Sequence, residues 1–142
     1  MGATISASDT NIFVALWDRD HALNYAAQAA LENASARGRI IIAAPVFAEL
    51  LACPGRDEAM LQEFFAEVRI AVDWDIDKDI WLAAGRAFQA YARRRRQRGS
   101  GPRRLLTDFV IGAHAEQRGC PLLTLDDRIY RAAFPRLDIV SV

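Results

Sequence analysis

Cysteine is scarce in this chain, and its two cysteines, Cys53 and Cys120, lie far apart without a C-x-x-C spacing. This usage argues against a disulfide framework and favours a reducing compartment, so we expect a cytoplasmic protein. Long apolar runs are also absent, since none reaches the roughly 18 residues that a membrane span requires. The first residues lack the charged and apolar regions of a signal peptide. We therefore expect no association with a membrane.

Histidine and lysine are also rare, with two histidines and one lysine in the chain. No second histidine lies at a spacing that would make His114 part of a zinc pair. The single lysine, Lys78, lies in an Asp-Lys-Asp segment that opens a helical pattern. Phosphotransfer proteins and phosphatases that use an aspartate need a lysine nearby to balance the charge. The composition therefore argues against both classes, although it does not exclude a non-enzymatic interaction module.

What the chain does contain is typical of a globular domain. It has 142 residues, of which 52% are hydrophobic, and we expect one domain spanning residues 1–142. Short strand patterns alternate with helical ones, at residues 4–8, 40–44, 70–74, 122–124 and 139–140. Such alternation predicts an α/β fold with a mainly parallel central sheet.

Four acidic residues occupy related places in this pattern. Asp9 and Asp126 each follow a strand, whereas Glu49 and Asp108 lie on helices expected to start at the same sheet edge. Two of them have a simpler explanation, because Asp9 can cap a helix and Glu49 can be a surface residue. Asp108 is harder to explain in this way, since it interrupts a strongly apolar helix. Asp127 is the better candidate for capping the helix that follows it.

Four carboxylates at one sheet edge would repel one another unless a divalent cation neutralised them. Magnesium or manganese suits an all-oxygen site, and we expect Asp9 and Asp108 to bind it. Such a site favours phosphodiester hydrolysis, in which the metal activates water and stabilises the leaving oxygen.

Charge is unevenly distributed although the formal net charge is zero. An acid-free stretch, here called the basic segment, contains Arg93, Arg94, Arg95, Arg96, Arg98, Arg103 and Arg104. The rest of the chain carries a net charge of minus seven. Arginine pairs with phosphate through two parallel hydrogen bonds, so we expect Arg93, Arg94, Arg95 and Arg96 to contact the phosphate backbone of a substrate. A solvated surface, or a surface for an acidic partner, would have the same pattern.

The order and spacing of these residues resemble a known family. Asp9-Thr10-Asn11 opening a helix, Glu49 after a strand, Asp108 in an apolar helix and Thr124-Leu125-Asp126 after a late strand resemble the PIN-domain ribonucleases. The chain length and the closing Leu-Thr-Leu-Asp-Asp-Arg-Ile-Tyr segment are similar to those of VapC-type toxins of bacterial toxin–antitoxin pairs.

This resemblance implies a three-layer α/β/α fold and a magnesium- or manganese-dependent endoribonuclease. It also implies a homodimer that a small antitoxin inhibits. By position, Asp9, Glu49, Asp108 and Asp126 would form the acidic cluster. Thr124 would hydrogen-bond within that cluster, and Asn11 would orient groups beside Asp9. An RNA-processing nuclease without a toxin role is the alternative within the same family.

Overall fold

The computed structural model describes residues 3–99 and 106–142. Within these ranges, five strands form one sheet in the order β3-β2-β1-β4-β5, and every neighbouring pair is parallel. The strands are β1 (Thr4–Ser8), β2 (Gly38–Ala43), β3 (Ile70–Asp73), β4 (Leu122–Thr124) and β5 (Ile139–Ser141). The predicted α/β fold with a parallel central sheet is confirmed.

Helices connect the strands and cover both faces of the sheet, which gives the three-layer α/β/α architecture. They are α1 (Thr10–Leu16), α2 (Asn24–Arg37), α3 (Ala44–Leu51), α4 (Glu58–Glu67), α5 (Lys78–Arg98), α6 (Leu106–Gln117) and α7 (Arg128–Ala133). Helix α1 packs on α2, and α5 packs along α6. Parallel strands need such crossover connections, because the chain must return to the same end of the sheet before each new strand.

The sequence explains the two central strands. Ile40, Ile42 and Ala43 of β2 are buried, as expected for a strand covered on both faces. Strand β1 begins exposed and becomes buried from Ser6 onward. Its register pairs Ala7 with Ile41 of β2 on one side and with Leu122 of β4 on the other. The last residues of β1 therefore lie in the middle of the sheet.

Helix α5 is longer than its apolar pattern alone indicates. It continues through the basic segment to Arg98 and ends at Gly99, whose φ of 74° is the left-handed conformation that favours glycine. Arg93, Arg94, Arg95 and Arg96 are thus helical residues. The last two arginines of the basic segment, Arg103 and Arg104, lie outside the described residues.

In the described parts of the chain, we find no helix that is both long enough and apolar enough to span a bilayer.

Candidate active site

Asp9 lies where β1 ends and α1 begins. Its backbone is extended, and its Oδ1 accepts a hydrogen bond of 2.8 Å from the Thr10 backbone N–H, so Asp9 does cap α1. Capping does not use the whole carboxylate, because Oδ2 also accepts hydrogen bonds from Thr124 Oγ1 at 2.8 Å and from Tyr130 Oη at 2.9 Å. The simpler explanation considered for Asp9 is therefore correct but incomplete.

The four predicted acids meet at one cavity. Asp9, Glu49, Asp108 and Asp126 all line a space of about 250 Å³ at the carboxyl ends of β1 and β4. The other lining residues are Thr10, Asn11, Val14, Ile129 and Tyr130. The elements that supply the acids are far apart along the chain, and only the parallel sheet brings them together.

Burial gives the Asp9 carboxyl an unusual acidity. Its side chain is 5% exposed, and desolvation raises its pKa from 3.8 to about 6. The hydrogen bonds from Thr124, Tyr130 and Thr10 act in the opposite direction, while the nearby Asp108 carboxylate raises the pKa further. A buried carboxylate with another carboxylate beside it gains stability when a cation binds between them.

Thr10 connects Asp9, at the end of β1, with Glu49 on α3, the helix that follows β2. Its hydroxyl donates a 2.6 Å hydrogen bond to Glu49 Oε1. Glu49 is half-buried on α3, which directly follows β2. Glu49 is therefore not the freely exposed residue that the simpler explanation describes. The sequence placed Thr10 in the Asp9-Thr10-Asn11 motif without indicating a role for its hydroxyl, although its position directly after Asp9 was a usable signal.

Thr124 and Asn11 join α1 to the loop after β4. The Thr124 hydroxyl donates to Asp9 and accepts from the Asp126 N–H at 3.1 Å and from Asn11 Nδ2 at 3.4 Å. Asn11 Oδ1 in turn accepts from the Leu125 N–H at 3.2 Å. Asn11 thus orients Thr124 and the turn that carries Asp126, and it contacts the Asp9 carboxylate only indirectly.

The adjacent acids Asp126 and Asp127 have different surroundings. Asp126 lines the cavity, whereas Asp127 Oδ2 accepts a hydrogen bond of 2.6 Å from Arg131 Nε. Asp127 occupies the N-cap position of α7, but its side chain makes no capping hydrogen bond. The prediction that its side chain caps this helix is wrong, because the i,i+4 ion pair with Arg131 holds the carboxylate instead.

His114 has a specific partner that the sequence did not indicate. It is 1% exposed, and its Nε2 lies 2.9 Å from Asp73 Oδ2, which also accepts from Arg118 Nε at 3.0 Å. Burial lowers the pKa of His114 more than Asp73 raises it, so the ring is neutral near pH 7 and donates from Nε2. Burial alone would raise the pKa of Asp73, but the hydrogen bonds from His114 and Arg118 lower it. His114 thus stabilises the contact between α6 and the end of β3.

A comparison with known families decides the assignment of the fold. The sequence profile of the PIN domain matches residues 8–135, which is most of the chain. The chain belongs to the PIN domain family. The part of the chain that matches the PIN domain contains all four acids of the cavity.

Solved structures with the same fold include VapC-type toxins in complex with antitoxins. VapBC2 from Rickettsia felis, bound to a DNA fragment from its promoter, has a TM-score of 0.67 and 21% identity, covering 97% of this chain and 98% of that chain. A toxin–antitoxin complex from Klebsiella pneumoniae has a TM-score of 0.66 and 20% identity, covering 96% of both chains. Mycobacterium tuberculosis VapC20, a toxin that cleaves the sarcin–ricin loop, has a TM-score of 0.60 and 18% identity, covering 92% and 95%. No curated protein sequence matches the chain significantly.

The cavity of this PIN domain is lined by ligands that suit divalent cations such as magnesium. All four charged residues that line it are carboxylates, which are the ligands these cations prefer. In the described residues, no three carboxylate, imidazole or thiol groups are close enough to enclose one ion. Magnesium does not require such a cage, because it is commonly held by one or two carboxylates and keeps several waters. Asp9 and Asp108, which interact electrostatically in the cavity, fit this mode.

The helical part of the basic segment follows the part of α5 that packs against α6, the helix that carries Asp108. No arginine among the described residues lines the cavity itself. Phe88 and Tyr91 of α5 contact Phe109, with ring centroids 4.8 and 5.4 Å apart, and Phe109 follows Asp108. Arg93 is two residues beyond Tyr91, so the four arginines begin within one helical turn of the contact next to Asp108.

Proposed function

We propose that this PIN domain, spanning residues 1–142, is a metal-dependent endoribonuclease that hydrolyses RNA phosphodiester bonds. The observation that carries the proposal is that Asp9, Glu49, Asp108 and Asp126 line one cavity at the carboxyl ends of adjacent parallel strands. Ligand sites in open α/β sheets commonly lie at this edge. Membership of the PIN family and the resemblance in fold to nuclease toxins support the same reaction class.

Asp9 and Asp108 are the residues that we propose hold Mg²⁺ or Mn²⁺. When bound, the cation would supply a Lewis acid that stabilises the leaving oxygen and lowers the pKa of attacking water. Glu49 and Asp126 complete the acidic set, and each is held by a hydroxyl or by the turn next to it. Thr10 donates to Glu49, and Thr124 accepts from the Asp126 N–H. Asn11 supports this arrangement through Thr124 and Leu125.

The basic segment supplies the proposed RNA contact. Arg93, Arg94, Arg95 and Arg96 occupy the last turns of α5, alongside the helix that carries Asp108. Their positive charges would bind the phosphate backbone while the acids act on one phosphodiester. This division separates affinity, which depends on salt, from cleavage, which depends on the carboxylates.

A toxin role follows from the same resemblance. VapC-type structures that share this fold were solved as complexes with antitoxins. We therefore propose that a small antitoxin inhibits this cytoplasmic nuclease and that the nuclease forms a homodimer. Induced expression should arrest growth, and co-expression of the product of an adjacent small reading frame should relieve the arrest. Cleavage without growth arrest would favour an RNA-processing nuclease.

The cleavage reaction is tested on a structured RNA incubated with Mg²⁺, Mn²⁺ or a chelator. We expect cleavage by the wild type with either metal, and loss of cleavage in Asp9→Asn and Asp108→Asn. Asp127→Asn is the matched control, because it removes an adjacent carboxylate that pairs with Arg131 outside the cavity. Cleavage retained in both site variants, or lost equally in the control, would refute the site.

A further inference from the structure

Tyr130 is a buried polar residue to which the sequence pattern assigns only a packing role. It lies on α7 with 1% of its surface exposed, and its hydroxyl reaches the cavity that the four acids line. The hydroxyl donates to Asp9 Oδ2 at 2.9 Å. A phenylalanine would fill the same space in the core without this donor, so core packing does not explain the oxygen atom.

The donors around Asp9 fill most of its acceptor positions. A carboxylate offers about four lone-pair positions on its two oxygens. Oδ2 accepts from two hydroxyls, those of Thr124 and Tyr130, while Oδ1 accepts from the Thr10 N–H. Among the described residues, these three donors leave one acceptor position, and it is on Oδ1. Tyr130 thus takes part in deciding which oxygen of Asp9 is available to a ligand.

Thr124 cannot perform this task alone. Its hydroxyl has a single proton, which is shared between Asp9 Oδ2 at 2.8 Å and the Asp126 carbonyl oxygen at 3.3 Å. It also accepts from both the Asp126 N–H and Asn11 Nδ2. Thr124 is therefore also hydrogen-bonded to the loop after β4, which carries Asp126. Tyr130 approaches from a different element, α7, and its ring is fixed in the core. Two donors from two elements restrict rotation of a carboxylate more than one donor does.

We propose that Tyr130 is a positioning residue of this site, whose hydroxyl joins Thr124 in occupying Oδ2 of Asp9 and thereby presents Oδ1 to a divalent cation. This inference rests on the proposed metal-dependent function. Partners that orient a ligating group commonly change metal affinity about 10- to 100-fold when they are removed.

The test is calorimetric titration of Mn²⁺ into the full chain. Tyr130→Phe keeps the ring and removes only the hydroxyl, and we expect it to weaken Mn²⁺ binding about tenfold or more. Tyr25→Phe makes the same chemical change at an 82% exposed position on α2 and should leave the affinity unchanged. Asp9→Asn should abolish binding. In cleavage assays, Tyr130→Phe should lower kcat at low metal concentration and leave KM for RNA unchanged.

A second measurement does not depend on the folding of any variant. The Tyr130 side-chain ¹³Cζ resonance of the wild type, followed by NMR, should shift during titration with Mg²⁺ while that of Tyr25 stays constant. A Tyr130 resonance that does not change while Mg²⁺ binds would overturn the inference.

The outcomes separate this inference from the proposed function. If the wild type binds Mn²⁺, Asp9→Asn does not and Tyr130→Phe binds as well as the wild type, Tyr130 has no positioning role and the nuclease site remains. An equal loss in Tyr25→Phe would also overturn the inference. If the wild type binds no Mn²⁺ and cleaves RNA in the presence of a chelator, the metal-dependent function fails, and the role of Tyr130 fails with it.

Discussion

Asp9 combines two roles with opposite energetic consequences. As the N-cap of α1 it satisfies a backbone N–H, which commonly stabilises a helix by about 1 kcal/mol. As a buried carboxylate next to Asp108, it carries a charge that the folded protein accommodates poorly in the absence of a cation. A residue that favours folding through its cap and opposes it through its charge is typical of a binding site.

Removing the Asp9 charge, as in Asp9→Asn, should stabilise the metal-free protein. Because the folded-state pKa of Asp9 is raised from 3.8 to about 6, its proton is held more tightly in the folded state. The associated stability is full below the unfolded pKa and is lost as the pH rises through about 6. At about 1.4 kcal/mol per pKa unit, the loss is about 3 kcal/mol by neutral pH. Asn retains an oxygen for the cap, and the Tyr130 hydroxyl can accept as well as donate.

Urea denaturation in chelator measures this effect. Asp9→Asn should exceed the wild type in free energy of unfolding at pH 7.5 by more than it does at pH 4. A stability difference that is the same at both values would show that the Asp9 charge does not oppose folding.

At the scale of the elements, the position of α7 depends on α6. Gly112 lies on the buried face of α6, and a Cβ there would overlap the ring of Phe134, which directly follows α7. The absence of a side chain thus permits a close approach that also places Tyr130 beside Asp9. The sequence placed Gly112 in the apolar helix that contains Asp108, but it did not indicate which ring would fill the space.

Gly112→Ala should therefore be destabilising despite the higher helix propensity of alanine. We expect a loss of about 1–3 kcal/mol, because the ring must move or α7 must shift. Gly85→Ala is the matched control, since Gly85 lies within α5 and nothing is within 4 Å of its missing Cβ. That change should stabilise the protein by up to about 1 kcal/mol. Urea denaturation of both variants checks the pair, and similar effects of the same sign would contradict the packing.

We expect the arginines at the end of α5 to bind RNA through their positive charge. Replacing Arg93, Arg94, Arg95 and Arg96 with Gln should weaken RNA binding and make its salt dependence less steep. On single-stranded RNA, each lost phosphate contact reduces the slope of log K against log salt by about 0.7. Fluorescence anisotropy with Asp9→Asn as the background measures binding without cleavage.

The control for this variant replaces four exposed arginines elsewhere in the fold, Arg19, Arg37, Arg39 and Arg136. It should change the slope less than the α5 variant does. A salt slope that stays unchanged in the α5 variant would mean that the segment contacts something other than phosphate.

At the scale of the whole molecule, the fold places like charges together at the sheet edge and carries opposite charges on a helix that packs against α6. The cavity contains four carboxylates, and the arginines of α5 lie on the adjacent helix. Binding of a cation to the folded state alone should therefore couple site chemistry to global stability. The chain, whose net charge is zero, thus has both an acidic cavity and an arginine-rich helix end.

Metal should stabilise the wild type as a consequence. Mn²⁺ at about 100 times its dissociation constant should add about 2.7 kcal/mol to the free energy of unfolding. Thermal unfolding with and without Mn²⁺ should show this gain in the wild type and in Asp127→Asn. Asp9→Asn and Asp108→Asn should lose it. A gain of the same size in these two variants would place the ion elsewhere.

Much of this molecule was predictable because local pattern and sheet geometry are linked. Alternating strands and helices predict parallel order, and parallel order brings the residues after β1 and β4 to one edge. Asp9 and Asp126 were therefore identifiable as neighbours from their positions alone. Glu49 and Asp108 followed because their helices start at that edge, and the structure places all four at one cavity.

Side-chain partners were decided by tertiary structure. Asp126 and Asp127 are adjacent in sequence, but Asp126 lines the cavity whereas Asp127 forms an ion pair with Arg131. Tyr130 reads as an apolar helix residue until its hydroxyl is found 2.9 Å from Asp9. Periodicity reports which face of an element is buried, whereas a hydrogen bond depends on the placement of two distant elements to within a few tenths of an ångström. That precision arises only when the whole core is packed.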